Sequence, residues 1–254
     1  MKPIACALLL LLPYSRGLAD KPSGDRQDEA PRYEFREIHD RNGIGKFYMG
    51  REIASVMGFL AYDWLERDTR EKEERLSRLI RSLDLQPGQV VADIGAGSGV
   101  ISMMMAEQLL PKGRVLAVDI QEEMLQRLRE RCKAAGITNV DPVRGEEKSP
   151  NLKPQAVDLA IMVDVYHEFE FPYEMMLEIS EAVKPGGRVA LVEYRMEDFT
   201  VPIKLVHKMT EKQVKLEMQP PEFHLKWTET IGVLPWQHIV VFTKQDPADL
   251  SAPR

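Results

Sequence analysis

A dense group of glycines follows one short apolar segment of this 254-residue sequence. The segment runs into Asp93-Ile94-Gly95-Ala96-Gly97-Ser98-Gly99, and a helical pattern begins at Val100. Glycines let a backbone approach a ligand closely and adopt positive φ angles. The start of the following helix offers free N–H groups to a carboxylate or a phosphate. The stretch therefore predicts a cofactor-binding turn between a strand and a helix.

A second acidic residue, Asp119, ends the next apolar segment, and Ile120 follows it. A carboxylate at this position can accept hydrogen bonds from the two vicinal hydroxyls of a ribose. That property suits NAD and S-adenosylmethionine equally. The glycine spacing favours the second, because dinucleotide-binding turns usually read G-x-G-x-x-G. Here Gly99 comes one residue earlier, and Asp93 precedes the first glycine by two positions.

The elements that must position these residues alternate in type between residues 85 and 245. Apolar segments predicted as strands are separated by helical patterns, which favours an α/β fold with a mostly parallel sheet and helices on both faces. The predicted strands are 90–94, 114–120, 139–144, 157–163 and 189–194, and the predicted helices are 100–110, 122–135 and 173–183. Two further strands, 223–230 and 237–244, are joined by a short loop and predict a C-terminal antiparallel hairpin.

The order of these motifs resembles that of class I S-adenosylmethionine-dependent methyltransferases. Residues 91–99 resemble the first motif of that family, and Asp119 matches the acid that ends its second strand. Val183-Lys184-Pro185-Gly186-Gly187-Arg188 resembles the turn before its fifth strand, and the terminal hairpin resembles its reversed sixth and seventh strands. The resemblance implies a Rossmann-like, mostly parallel seven-stranded sheet over residues 85–245. It also implies S-adenosylmethionine as the cofactor for methylation of a small molecule or an exposed protein group.

The resemblance further implies positions for the parts of the cofactor. The methionyl part is expected to contact Asp93 and the backbone of Gly95, Ala96, Gly97 and Gly99. The ribose is expected at Asp119, with Ile120 beside it. Glu146, after the third strand, is expected to accept from the adenine amino group, with its neighbour Glu147 as the alternative. Asp164, near the end of the fourth strand, is expected to hold the amino group of the methionyl part through its side chain or its carbonyl.

The segment that leaves the fourth strand, Asp164 to Phe169, is expected to border the point of methyl transfer. Tyr166 and His167 are the candidates there to face the methyl acceptor. The ordinary pKa of histidine suits a general base near neutral pH. A structural hydrogen bond is an equal alternative for His167.

Glu193, on the fifth strand, is a candidate base or substrate contact. Its alternative is an ion pair with Arg195 or Arg51. No metal site is predicted, because the sequence contains neither C-x-x-C nor H-x-x-x-H spacing. His167 and His207 could nevertheless meet in space.

The segment before the predicted sheet has a different pattern. Apolar residues recur at helical spacing from residue 43 to residue 65, and a second, charged helix is predicted over 68–83. We therefore expect a helical cap at 43–84. Tyr48 and Arg51 are its candidate substrate contacts, and packing on the domain surface is the alternative. The polar residues 20–42 and 246–254 are predicted to be a flexible lead-in and a flexible tail.

The first nineteen residues are typical of a cleaved secretory signal. Lys2 precedes the apolar run Ile4–Leu12, and Gly17-Leu18-Ala19 supplies small residues near a cleavage point. The run is too short to span a bilayer stably. Export to the periplasm or the medium is predicted, with an uncleaved cytoplasmic protein as the alternative. The formal net charge of −6 disfavours nucleic acid as a partner.

Two other function classes stay open. An NAD-dependent oxidoreductase would use a similar sheet, but the whole series of motifs would not be expected in one. A noncatalytic module could also have kept the cofactor pocket. The intact Asp93, glycines and Asp119 argue against such decay.

Overall fold

The computed structural model describes residues 31–246 and residue 248. The predicted signal sequence and most of the predicted tail lie outside these residues. The described part contains a three-stranded sheet near its N-terminal end and a seven-stranded sheet. No helix in it combines the length and the apolar character that crossing a membrane requires.

The first sheet is antiparallel and replaces the helix expected over residues 43–54. Its strands, in spatial order, are β1 (Tyr33–Phe35), β2 (Gly43–Tyr48) and β3 (Arg51–Ala54). Met49 and Gly50 form the turn between β2 and β3, with φ angles of 47° and 86°. A two-residue turn with two positive φ angles matches the twist of a hairpin. The prediction of a helix is wrong here because strand pairing overrides the helical spacing, and β1 lies within the lead-in predicted to be flexible.

Short helices follow this sheet. They are α1 (Tyr62–Glu66), α2 (Arg70–Glu74) and α3 (Leu76–Ser82), with a 3-10 turn at Phe59–Ala61. The single helix predicted over 68–83 is interrupted at Arg75, whose φ of 55° is left-handed. The helical part of the predicted cap is thus confined to residues after the first sheet.

The seven-stranded sheet has the α/β architecture that the sequence predicts. Its strands are β4 (Val90–Ile94), β5 (Arg114–Asp119), β6 (Val140–Arg144), β7 (Val157–Val163), β8 (Val183–Tyr194), β9 (Leu225–Ile231) and β10 (Gln237–Lys244). The helices between them are α4 (Val100–Gln108), α5 (Glu122–Ala135), α6 (Pro172–Ala182) and α7 (Glu211–Glu217). The spatial order is β6-β5-β4-β7-β8-β10-β9, and only the pairs of β10 are antiparallel. The expected C-terminal hairpin, β9 with β10, is confirmed.

Both faces of the sheet are buried at its central strands, such as β4 and β7, which explains why these strands are apolar. Val91 on β4 packs into a core with α3, α4 and α5. Its neighbour Ala92 packs on the opposite face with α6 and α7. The alternation follows from the two-residue repeat of a strand.

The order of the strands fixes where a ligand can bind. The chain runs from β4 outward through β5 to β6, then returns to place β7 on the other side of β4. At such a switch point the loops after two neighbouring strands leave in opposite directions and open a crevice at their carboxyl ends. The glycine turn after β4 therefore lies beside that crevice.

Candidate active site

A cavity of about 550 Å³ opens at the carboxyl ends of the parallel strands. Residues that follow β4, β5, β6 and β7 line it, and residues 56–57, 64–65 and 202–207 complete its wall. The polar and charged groups predicted to bind a cofactor are thus distributed over four strand ends. Such an enclosure fits a ligand of drug size or larger.

The glycine turn contributes backbone to this cavity at Gly95 and Gly97. Their φ angles are 74° and 54°, a region that residues with a Cβ rarely adopt. A Cβ at Gly95 would also lie 2.4 Å from Cγ2 of Val165, and one at Gly97 would lie 2.6 Å from Cδ1 of Leu65. The turn therefore needs glycine for both conformation and space. Ala96 and Gly99 lie behind it, and Gly99 faces Leu128.

Asp119 lines the cavity at the end of β5, where the sequence predicts a ribose contact. Its Oδ2 accepts from the Gly97 N–H and its Oδ1 from the Gln121 N–H, each at 2.8 Å. Burial raises the pKa of Asp119, although both N–H groups favour the charged form. Each carboxylate oxygen has a second lone pair, so Asp119 can order the turn and still accept from ligand hydroxyls. Ile120 lines the cavity beside it.

Asp93 takes a different place from the one predicted. Only 2% of its surface is exposed, and its Oδ2 accepts from the Ser102 hydroxyl at 2.6 Å. It is absent from the cavity wall formed by the described residues. Asp93 thus ties the end of β4 to α4 behind the turn, and its effect on a ligand is indirect.

Asp164 is the polar group that is least satisfied in the cavity wall. It follows β7 with a φ of 51°, which is strained for a residue other than glycine. Its Oδ2 accepts from the Gln237 side chain at 3.2 Å, whereas its buried Oδ1 has no partner among the described residues. Burial raises the pKa of Asp164 well above its usual range, and the carboxylates of Glu74 and Glu193 raise it further. A cationic ligand group would satisfy both the orphaned oxygen and this excess of negative charge.

Glu146 also lines the cavity, as the adenine assignment requires. It follows β6, and its N–H donates to the carbonyl of Ser149 at 2.8 Å. Its neighbour Glu147 lines the same wall. The two glutamates therefore still compete for the adenine contact.

His167 lies in the wall with a buried network behind it. Its Nδ1 is 2.5 Å from Oε2 of Glu193, and its Nε2 is 3.2 Å from Nδ1 of His207. Glu193 is fully buried, and its Oε1 accepts from the Tyr166 N–H at 3.0 Å. Burial lowers the pKa of His167 to about 3, so its imidazole is neutral at pH 7. Glu193 therefore supports His167 from behind and does not reach the cavity.

Three predicted contacts prove to be interior groups. Tyr166 is fully buried and its hydroxyl donates to Glu217 at 2.9 Å. Arg51 donates to both carboxylate oxygens of Glu217, at 2.7 and 2.8 Å, and to the His167 carbonyl at 3.1 Å. Tyr48 is 1% exposed and stacks near Tyr33. The assignments of Tyr48 and Arg51 to the substrate and of Tyr166 to the acceptor are therefore corrected: all three stabilise the packing behind the cavity.

His207 meets His167 in the cavity wall, as the sequence analysis allowed, and Glu168 lies beside them. Sequence reasoning missed Gln121, which connects the wall to the N-terminal segment. The Gln121 side chain accepts from the Phe59 N–H at 2.7 Å and donates to the Met57 carbonyl at 2.9 Å. Glutamine after an acidic strand end carries no recognisable signal, so only the fold reveals this contact.

The glycine turn, the acid after β5 and the cavity at the switch point together define a Rossmann-like protein that binds an adenosine-containing cofactor. The family described as "Methyltransferase domain" matches residues 85–242. The chain belongs to this family, and its cofactor is S-adenosylmethionine.

Individual relatives agree on the fold and differ in what they act on. A solved structure of a SAM-dependent methyltransferase from Aquifex aeolicus is 22% identical, with a TM-score of 0.69 over 74% of this chain and 100% of its own. The demethylmenaquinone methyltransferase of Listeria welshimeri is 27% identical over 45% of this chain and 48% of the relative. The protein-L-isoaspartate O-methyltransferase of Aeropyrum pernix is 32% identical over 46% of this chain and 43% of the relative. The chain thus spans less than half the length of these two curated relatives.

The residues of the cavity fit the cofactor that the family implies. S-adenosylmethionine carries a ribose, an ammonium group and a sulfonium. Asp119 offers carboxylate oxygens for the ribose hydroxyls, and the orphaned Oδ1 of Asp164 suits the ammonium group. The glycine turn presents its backbone to the cavity at Gly95 and Gly97. The side chains present at these positions can therefore hold the cofactor.

Proposed function

We propose that this protein transfers a methyl group from S-adenosylmethionine to a small molecule or an exposed group of a protein. The observation that carries the proposal is the orphaned Oδ1 of Asp164 in the same cavity as Asp119 and the glycine turn. A buried carboxylate oxygen without a partner costs free energy unless a ligand satisfies it. A cofactor with a cationic methionyl part and a ribose satisfies both acids at once.

The residues act mainly by binding and orienting. S-adenosylmethionine supplies an electrophilic methyl group on sulfur. Asp119 and Asp164 fix the two ends of the cofactor, so the methyl group faces a defined part of the cavity. Met57, Trp64 and Ile203 give the cavity wall apolar surface. His167 and His207 are the histidines that line the cavity in the described part of the chain.

The acceptor is a small molecule or a protein group and not a nucleic acid in this proposal. The chain has a formal net charge of −6, and four acidic residues other than Asp119 and Asp164 line the cavity: Glu146, Glu147, Glu168 and Glu170. Phosphate backbones bind to basic surfaces. Two relatives that methylate very different acceptors match to a similar extent, so their names do not select one.

Calorimetry tests the cofactor directly. Purified protein is expected to bind S-adenosylhomocysteine with a dissociation constant in the micromolar range or below, and to show no heat with NAD. Binding of NAD without binding of S-adenosylhomocysteine would reject the proposal. Transfer of a labelled methyl group to a panel of small molecules and proteins then separates an enzyme from a binding module. A related fold also occurs in the [4+2]-cyclase SpnF, at 14% identity, a TM-score of 0.57 and coverage of 67% of this chain and 81% of its own.

Asp119→Ala is expected to weaken binding of S-adenosylhomocysteine by at least about tenfold, because hydrogen bonds to a charged group are lost. The same change releases the Gly97 N–H that the carboxylate holds. Isothermal titration calorimetry measures the effect. Asp141→Ala is a matched control, since Asp141 lies on the neighbouring strand β6 and pairs with Arg114 at 2.9 Å outside the cavity. Equal affinities in the two variants would contradict the assignment of Asp119.

We propose in addition that the protein is exported. The support is the order of charge, apolar run and small residues in residues 1–19. Cell fractionation and sequencing of the mature N-terminus test it, and the expected new terminus lies near Asp20. A protein that keeps Met1 and stays in the cytoplasm would contradict export without affecting the proposed reaction.

A further inference from the structure

His167, Glu168 and His207 bring three potential metal ligands together in the cavity wall. The ligand atoms are Nε2 of His167, Oε1 of Glu168 and Nδ1 of His207, and all lie within 4.8 Å of one another. Two of these residues are adjacent in the sequence and the third is forty positions away. No short spacing motif announces such a set, which explains why the sequence predicts no metal.

The triangle formed by these atoms has the size of a metal site. Its edges are 3.2 Å between the two histidine nitrogens, 3.6 Å from His207 to Glu168 and 4.0 Å from His167 to Glu168. The point equidistant from three atoms with these separations lies about 2.1 Å from each of them, which equals the bond length of Zn²⁺ to nitrogen and carboxylate oxygen. An ion can therefore reach all three atoms without a change in backbone structure.

The groups behind the triangle hold its ligands in the orientation that a metal requires. Oε2 of Glu193 lies 2.5 Å from Nδ1 of His167, so a proton on that nitrogen leaves Nε2 free to bind an ion. Metal-binding histidines commonly donate their second nitrogen to a carboxylate in this way. Oε2 of Glu168 accepts from the Met57 N–H at 3.2 Å, which leaves Oε1 for the ion. Two of the three ligands thus have the supporting contacts of an established metal site.

We propose that His167, Glu168 and His207 bind one divalent transition-metal ion in the wall of the cofactor cavity. Two imidazoles and one carboxylate suit Zn²⁺, Fe²⁺, Co²⁺ or Mn²⁺ and leave coordination positions open. Since all three residues line the cavity, those positions are accessible to a small molecule. The negative charge of Glu168 compensates part of the charge of the ion.

The site also indicates the class of acceptor, and this step rests on the proposed function. A molecule with a hydroxyl or thiol group can occupy an open position on the ion. The ion then favours loss of the O–H or S–H proton to water. The freed lone pair forms the new bond to the methyl carbon, and the electron pair of the broken C–S bond stays on the sulfur of the donor.

Metal binding is tested on full-length protein prepared without a histidine tag and stripped with a chelator. Titration with Co²⁺ is expected to give visible absorption bands that saturate at one equivalent, and Zn²⁺ is expected to displace them. His207→Ala and Glu168→Gln are each expected to weaken binding of Zn²⁺ by about a hundredfold or more, and Glu193→Gln by about tenfold to a hundredfold. His39→Ala is the matched control, because His39 is exposed and lies beside Glu52 outside the cavity.

Calorimetry with S-adenosylhomocysteine on the same samples distinguishes the two proposals. Retained binding of S-adenosylhomocysteine in His207→Ala shows that the variant is folded and that only the metal site is lost. Failure of the wild-type protein to bind Co²⁺ or Zn²⁺, or undiminished binding in His207→Ala, would overturn the metal site and leave a hydrogen-bonded histidine pair. Failure to bind S-adenosylhomocysteine in a protein that does bind Co²⁺ would instead overturn the proposed function and the acceptor class.

Discussion

Glu217→Ala is expected to lower the free energy of unfolding by about 3–5 kcal/mol, because it leaves a buried guanidinium without its partner. Glu217 is fully buried and accepts from Arg51, from the Tyr166 hydroxyl at 2.9 Å and from the Gln213 side chain at 2.8 Å. Burial opposes the charge of Arg51, but Glu217 outweighs this and raises the pKa of Arg51 above its usual value. Arg51 nevertheless stays charged when Glu217 is removed, because a guanidinium is not deprotonated in proteins. Chemical denaturation monitored by circular dichroism measures the loss.

The double variant Arg51→Met, Glu217→Met provides the control for this result. It removes both charges and fills the space with apolar atoms, so its loss of stability should be much smaller than that of Glu217→Ala. Glu122→Ala, which breaks the exposed ion pair with Arg129, should change stability little. Equal losses in Glu217→Ala and in the double variant would show that the buried charge does not dominate the cost.

The same network gives the N-terminal sheet a role in the active site. Arg51 belongs to β3, Glu217 to α7, and the Arg51 guanidinium also donates to the carbonyl of His167. These contacts hold the backbone at His167 against β3 and α7. The sequence hypothesis placed Arg51 in contact with substrate, and the buried ion pair replaces that role. Arg51 thus bears on the cavity through the backbone position of His167.

The seven-stranded sheet was predictable because several signals agreed along the same residues. Apolar strands such as Val157–Val163 alternate with helices, and the central strands are buried on both faces. The glycine turn marks the strand that starts the crevice. The N-terminal sheet was not predictable in this way, since Met49 has no turn preference and its positive φ is set by the pairing of Tyr48 with Arg51. The N-terminal sheet is therefore determined by strand pairing more than by the local spacing of its apolar residues.

The residues of the candidate site also fall into two groups, those that the sequence predicts and those that only the structure reveals. Asp119, Glu146 and Asp164 stand at strand ends, so the fold alone brings them to one edge, and all three line the cavity. Which of two adjacent side chains faces the cavity is decided by local geometry that the sequence does not display. Tyr166 points into the core while His167 lines the wall, and Glu193 supports His167 from behind. His207 joins them through a long connection after β8, which no spacing rule describes.

Asp93, predicted to contact the cofactor, is instead a buried carboxyl whose ionisation lowers the free energy of unfolding. The carboxyl is 2% exposed, and the Ser102 hydroxyl, the Ser102 backbone N–H and the charge of Arg70 only partly compensate its burial. Burial raises the pKa of Asp93 from the ordinary 3.8 to about 6. The folded protein thus binds this proton more tightly than the unfolded chain does. Its contribution to stability is fully present below about pH 4 and is lost as the pH rises through about 6.

Asp93→Asn is therefore expected to become more stable relative to the wild-type protein as the pH rises. The amide oxygen can still accept from Ser102, but the side chain no longer ionises. A shift of about two pKa units corresponds to roughly 3 kcal/mol in total, but the unfolded carboxyl is already mostly ionised at pH 4.5. The difference in unfolding free energy between variant and wild type should therefore increase by about 2 kcal/mol from pH 4.5 to pH 7.5. Urea denaturation at several pH values measures it, and other titrating groups cancel because both proteins contain them.

Ser102→Ala is a second variant for this test, because it changes the pKa of the same carboxyl without removing the carboxyl. The Ser102 hydroxyl favours the charged form of Asp93. Its removal should raise the pKa of Asp93 further, so the pH-dependent loss of stability in Ser102→Ala should extend to higher pH than in the wild-type protein. If the difference in unfolding free energy between Asp93→Asn and wild type is constant from pH 4.5 to pH 7.5, the fold does not raise the pKa of Asp93. In that case the carboxylate is stabilised in the folded state, and a direct electrostatic role toward the cofactor becomes the better account of this residue.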